Sequence, residues 1–222
     1  MAVAIVGAYE SQSEEAFLTT QQVDEARHAQ HFNNFYREVL GYDGGFEARL
    51  DRAREDLTEP FKYLFDEVLV DANRRLLADP SDIEAKVDFV TTYHMVIEGT
   101  LALTGQDTLT RVFERDAILP GFLEGFRRIS QDEHRHVAYG TWFLQQKATD
   151  PALKARIQQR LQELIPVAAG VLTPRGYEVG EEYEILGVRS DEVHGFAFAA
   201  LTRRLKVIGV PLVPAEGEAV PA

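Results

Sequence analysis

Two stretches, DEARH at residues 24–28 and DEHRH at residues 132–136, repeat one pattern 108 residues apart in a chain with only six histidines. Each sets a glutamate three residues ahead of a histidine. Residues three apart on a helix project from one face a turn apart, so Glu25 with His28 and Glu133 with His136 form two matched pairs of donors. Two such pairs are the larger part of what a helical bundle needs to hold two metal ions.

The surrounding sequence supplies the helices. Ser11 or Ser13 can cap the one that carries the first pair, with Glu14 and Glu15 in its first turn. Leu18, Glu25, His28, Phe32, Phe35 and Val39 mark its inner side until Gly41 stops it. A helix of about 30 residues is expected from Phe46 to Leu77, kinked near Pro60. A third segment starts at Asp82 and Glu84 and runs through VDFVTTYHMVIEGTLALTG towards Phe113, with Val87, Thr91, Glu98 and Ala102 in one stripe. Pro120 opens the helix of the second pair, which continues to Ala148 with Phe122, Phe126, Ile129, Glu133, His136, Gly140 and Leu144 inward. A short helix near 152–168, a turn-rich stretch and a last helix ending at Gly209 complete an all-α bundle.

Composition sets the outer bounds. The 222 residues are expected to form a single domain over 1–210 with a loose tail at 211–222. A net charge of -13, from 23 basic and 36 acidic residues, disfavours a nucleic-acid partner. With no cysteine, disulfides, thiolate nucleophiles and Cys-based metal sites are excluded, which leaves nitrogen and oxygen ligands. The opening MAVAIVGAYESQSEE is neither a signal peptide nor a membrane span, so a cytoplasmic location is the default.

Glu98 makes the metal reading specific. It sits among Val, Met, Leu and Thr, where an unpaired buried carboxylate is costly and metal ligation would account for its charge. It lies 35 residues before Glu133, so a hairpin near 115–117 brings the two carboxylates to one height on antiparallel helices. A two-metal bundle also needs a second lone glutamate. Glu14 is eleven residues from Glu25 on the same helix, about 16 Å along its axis, and Glu10 is no better placed. The sixth ligand is therefore expected in a helix before Met1, with MAVAIVGAY as its last two turns or as an apolar arm.

DEARH, YHMVIEG and DEHRH together resemble the ferritin-like superfamily and, within it, the R2-like ligand-binding oxidases, relatives of the ribonucleotide reductase small subunit. The resemblance covers roughly residues 1–170. It implies a ferritin-like helical bundle with a long crossover helix and additional C-terminal helices. It also implies Glu25, His28, Glu98, Glu133 and His136 as ligands of a Mn/Fe or Fe/Fe pair that activates O2, and a pocket for a long-chain fatty acid. Tyr93 matches the tyrosine those oxidases couple through an ether bond to a valine of their first helix. Phe32 stands where reductase subunits carry a radical tyrosine, which makes a reductase-like protein the lesser alternative. A helical scaffold with an incomplete, non-catalytic site is the opposed reading, and a homodimer is allowed. Zinc hydrolysis is disfavoured because the chain has no HExxH pattern.

Asp24 and Asp132 each lie four residues before a ligand histidine and are placed to accept the distal N–H of an imidazole. Arg27 and Arg135 read as neutralising neighbours or as surface ion-pair partners. Phe32, Val87, Met95, Leu101 and Phe126 are candidates for the pocket lining or, more simply, core. His94 is read as a packing or hydrogen-bonding residue, and Tyr139 and Trp142 as structural.

Overall fold

The computed structural model describes residues 3–212, and within them the chain is a bundle of helices. In order they are α1 (Val3–Gly7), α2 (Gln12–Glu38), α3 (Phe46–Glu55), α4 (Glu59–Lys62), a π-helical stretch π1 (Tyr63–Val68), α5 (Leu69–Ala78), α6 (Ile83–Val90), a second π-helix π2 (Thr91–Ala102), α7 (Leu103–Arg115), α8 (Pro120–Lys147), α9 (Pro151–Leu172) and α10 (Ser190–Ile208). A two-stranded hairpin, β1 (Glu184–Ile185) and β2 (Val188–Arg189), interrupts the turn-rich stretch before α10.

Local chemistry explains the boundaries. Ser11 caps α2, its hydroxyl accepting from the Glu14 amide at 3.2 Å. Asp82 and Asp150 do the same for α6 and α9. Gly209, at φ +79°, ends α10 in the left-handed conformation that suits a residue without Cβ. The crossover is broken rather than kinked. α3 ends at Asp56, Thr58 adopts an extended N-cap conformation, and Pro60 falls in the first turn of α4, where its missing N–H costs no hydrogen bond. Gly170 of α9 gives Pro60 room: a Cβ there would meet the proline ring at 2.9 Å.

The core runs along π2, against which α8, α9 and α10 pack. Val87, Phe89, Val90 and Met95 are fully buried there, with Leu18, Leu144, Leu161 and Leu164 from neighbouring helices. Asp88 is buried with them and tied to Arg75 at 2.8 Å and to Arg156 at 2.8 and 2.6 Å, which joins α5, α6 and α9. The far end of α2 departs from the expected inner line: Val39 is 52% exposed, because the helix outruns the bundle there. The tail from Val213 lies outside the described residues, but Val210 is still buried. No helix among the described residues is long and apolar enough to cross a membrane.

Candidate metal centre

Three elements meet midway along the bundle. α2 presents Asp24, Glu25 and His28, π2 presents Tyr93 and Glu98, and α8 presents Asp132, Glu133 and His136. One donor atom from each of Glu25, Glu98, Glu133 and His136 lies within 4.8 Å of all the others. His28 joins them through Nδ1, 3.3 Å from Glu133 and 3.9 Å from Glu25. His136 Nδ1 stands 3.5 Å from Glu25, 3.5 Å from Glu98 and 3.6 Å from Glu133. All five sequence-derived candidates are thus in one cluster.

The outer nitrogens are held crosswise. His28 Nε2 lies 3.3 Å from Asp132 of α8, and His136 Nε2 lies 3.4 Å from Asp24 of α2. Each aspartate therefore serves the histidine of the other helix. Arg135 bridges the two aspartates, at 2.9 Å to Asp24 and 2.6 Å to Asp132. Arg27 reaches Asp24 at 3.5 Å.

Charge in this space is strongly perturbed. Burial pulls the His136 imidazole down, but Glu133 and Glu98 outweigh it and carry the pKa up to about 10. Burial would raise Glu133, yet the two histidines hold it well below the usual carboxylate range. Glu98 is pushed up, by burial first and by the neighbouring Glu133 and Glu25 charges. Opposed shifts of this kind gather where burial and charge partners are concentrated, as they do at functional sites.

Four buried donor atoms in the cluster have no hydrogen-bond partner: Nδ1 of His28 and of His136, and Oε2 of Glu98 and of Glu133. Orphaned polar atoms at this depth each cost roughly 1–3 kcal/mol. A cation held by Glu98, Glu133 and His136 would satisfy three of them, and His28 Nδ1 lies beside that group. Three carboxylates with two imidazoles are a donor set suited to iron or manganese, and carboxylates on the distal imidazole N–H groups are the usual companions of ligating histidines.

The π-helix places two further groups. Five residues make about 140° of relative rotation on an α-helix, so Tyr93 and Glu98 would point apart. Bonding over five residues brings them to one side, and the Thr100 hydroxyl confirms that spacing by donating to the Met95 carbonyl at 2.8 Å. Tyr93 accordingly donates to Glu25 at 2.9 Å. Gln21, absent from the sequence reading, donates to Glu98 at 3.2 Å. Its signal was available, since it lies one turn before Glu25 on the same face. His94 meets the Gln21 amide at 3.3 Å, and burial lowers its pKa to about 3, so it is neutral.

Among the candidate lining residues, Val87, Met95, Leu101 and Phe126 are buried. Phe32 is not: it is 36% exposed, and its ring meets His31, Phe122 and Phe126. Gly140 serves close helix contact, since a Cβ there would fall 2.3 Å from that of His94. Glu14 sits in a separate buried group, bonded to Lys86 at 2.8 Å and to Tyr139 at 2.6 Å.

No protein-family model matches the chain. Solved structures do. A Val-to-Ala variant of an R2-like ligand-binding oxidase with anaerobically reconstituted Mn/Fe cofactor matches with a TM-score of 0.75 and 28% identity, over 93% of this chain and 71% of that one. A Val-to-Leu variant reconstituted aerobically gives the same four values. A Tyr-to-Phe variant, also with aerobically reconstituted Mn/Fe cofactor, matches with a TM-score of 0.72 and 26% identity, over 95% and 72% of the two chains. Shared architecture across nearly the whole chain, together with Glu25, Glu98, Glu133 and His136 brought into one cluster with His28 beside it, makes this protein a structural relative of the R2-like ligand-binding oxidases.

Proposed function

We propose that this chain supplies the larger part of a carboxylate–imidazole centre for two iron or manganese ions, and that the completed centre works as an oxidase. The supporting observation is the set of four orphaned donor atoms in one buried cluster. Glu25, His28, Glu98, Glu133 and His136 would hold the metal, which when bound supplies the electrons for reduction of O2.

The chain's own residues do the rest. Asp24 and Asp132 accept the Nε2–H of the crosswise histidines, which leaves each Nδ1 with its lone pair towards the cluster. Gln21 orients Glu98. Tyr93, bonded to Glu25, is the phenol nearest the centre and the one most exposed to oxidation. Met95 and Phe126 supply apolar surface of the kind a long-chain fatty acid would need.

A second reading is favoured by the ligand count. Four residues converge closely and His28 makes a fifth, one carboxylate short of the six-ligand bundle pattern. On this reading the chain is a helical scaffold, or a reductase-subunit-like relative, with an incomplete site. Anaerobic loading with Fe(II), alone or with Mn(II), separates the two. The oxidase reading expects close to two ions per chain and a near-ultraviolet absorption change on admitting air that is lost in Glu98→Gln. One ion or none, or full loading with an unchanged spectrum, supports the scaffold.

A further inference from the structure

Four rings run in contact from the metal centre to the surface. Tyr93 lies edge-on to His94 with centroids 5.1 Å apart, and His94 edge-on to Tyr139 at 5.2 Å. Tyr139 tilts against Trp142 at 6.1 Å. At the inner end Tyr93 is bonded to Glu25. At the outer end Trp142, the one tryptophan of the chain, is 51% exposed. It lines a groove of about 400 Å³ together with Val137, Thr141, Arg204 and Val207.

Packing alone would account for rings in contact, but the hydroxyls add something that packing does not require. A tyrosine that gives up one electron must also release its phenolic proton, and each tyrosine here donates to a carboxylate that can take it: Tyr93 to Glu25 at 2.9 Å, Tyr139 to Glu14 at 2.6 Å. The imidazole between them is fully buried and bonded to the Gln21 amide, so it brings no charge into the path. We propose that Tyr93, His94, Tyr139 and Trp142 form a one-electron relay between a reductant in the surface groove and the metal centre.

The relay rests on the oxidase reading for its oxidant, dioxygen reduced at bound iron or manganese. Oxidation of Tyr93 sends one electron to the centre and the phenolic proton to Glu25. Tyr139 then passes one electron across the His94 ring to Tyr93, which recovers its proton from Glu25, while the proton of Tyr139 moves to Glu14. Trp142 reduces Tyr139 in turn, and that proton returns from Glu14. A small one-electron donor, such as ascorbate, refills the indole. In sum the donor loses one electron, the centre gains one, and the relay residues are unchanged.

The test uses the metal-free full chain. Flash-generated tris(bipyridine)ruthenium(III) in solution should oxidise the exposed indole, whose radical absorption should decay as tyrosyl absorption rises. In Tyr139→Phe the indole radical should persist without that rise. Glu14→Gln, which keeps the ring and removes the proton acceptor, should slow transfer about tenfold, the rate equivalent of one charge-assisted hydrogen bond. In Tyr93→Phe the hole should stop at Tyr139 and give a tyrosyl EPR spectrum different from that of the parent. Circular dichroism melts establish that each variant is folded. Parent-like decay in both Tyr139→Phe and Glu14→Gln, or identical EPR spectra for Tyr93→Phe and the parent, would overturn the proposal. Because the oxidant comes from outside and no metal is bound, these outcomes are independent of whether the centre loads, which metal analysis reports separately.

Discussion

His136 carries most of the acid–base behaviour of the centre. With its pKa raised to about 10 it is protonated near neutrality, and Glu98, also raised, holds a proton more readily than an ordinary carboxylate. Metal and proton compete for the same Nδ1 lone pair, so loading near pH 7 should release protons, and affinity should rise with pH up to about 10. The slope is about tenfold per pH unit for each proton displaced. Titration in weakly buffered solution reads the release directly, and a pH-independent affinity would contradict the assignment. The metal-free protein should behave oppositely. A folded-state pKa above the unfolded value adds stability that is complete below the unfolded pKa, near 6.5, and is lost as pH climbs to about 10. Its melting temperature should therefore fall across that interval, with His136→Gln flattening the decline. Replacing His28 and His136 together by alanine should abolish most iron and manganese binding while leaving a helical protein; two ions retained in that variant would remove the site. At this scale the sequence was readable because Glu-x-x-His spacing is itself geometry: on a helix it fixes a shared face whatever the surroundings. The same periodicity put Phe32 in the inner stripe, yet its ring stays 36% exposed among His31, Phe122 and Phe126.

Among the elements, π2 had no such signature. Bonding over five residues leaves no mark in composition, and TTYHMVIEGTLA reads as an ordinary apolar helix. α8 packs closely against it. Gly140 of α8 makes room for the His94 side chain of π2, so the methyl of Gly140→Ala, 2.3 Å from the His94 Cβ, would force the two helices apart. Overpacking of this kind costs about 1–3 kcal/mol. The variant should melt at lower temperature, and in the metal-loaded form its Tyr93 and Glu98 should shift together, which a crystal structure or the metal's optical spectrum would report. A melt identical to the parent's would show that the contact relaxes freely. The crossover was half readable: Pro60 announced an interruption, but whether a proline kinks a helix or starts a new one depends on the residues before it. Here Leu57 and Thr58 leave the helix, and the Gly170 gap in α9 rewards the restart. Ala117 and Leu119 take positive φ in the turn between α7 and α8, where nothing in the sequence asks for it.

Across the whole molecule, the α2–α8 pairing is anchored at two levels, the candidate metal cluster and a separate buried ionic group. Lys86, 2% exposed, bonds Glu14 at 2.8 Å and stands over the Phe143 ring at 4.7 Å. Removing one partner of a buried pair strands the other, at about 3–5 kcal/mol. Lys86→Met alone should therefore destabilise the protein strongly, and adding Glu14→Gln should return part of the loss; strict additivity in denaturant titrations would deny the coupling. That network was invisible in sequence, where Lys86 is one charged residue among many. The crosswise bonds of Asp24 and Asp132 have a wider consequence. They relate α2 and α8 by a pseudo-dyad through the centre, under which DEARH and DEHRH exchange places. If the cluster holds two ions as proposed, sites related in this way would treat unlike ions alike, so any sorting of manganese from iron would arise where the dyad fails. It fails at Glu98, which has no counterpart in the cluster, and again at Gln21, whose counterpart four residues before Glu133 is Ile129 and whose amide reaches Glu98. Gln21→Leu would remove the second of these asymmetries, and competitive loading with equal Mn(II) and Fe(II) should then shift the ratio of the two ions bound; an unchanged ratio would leave metal choice to Glu98 alone.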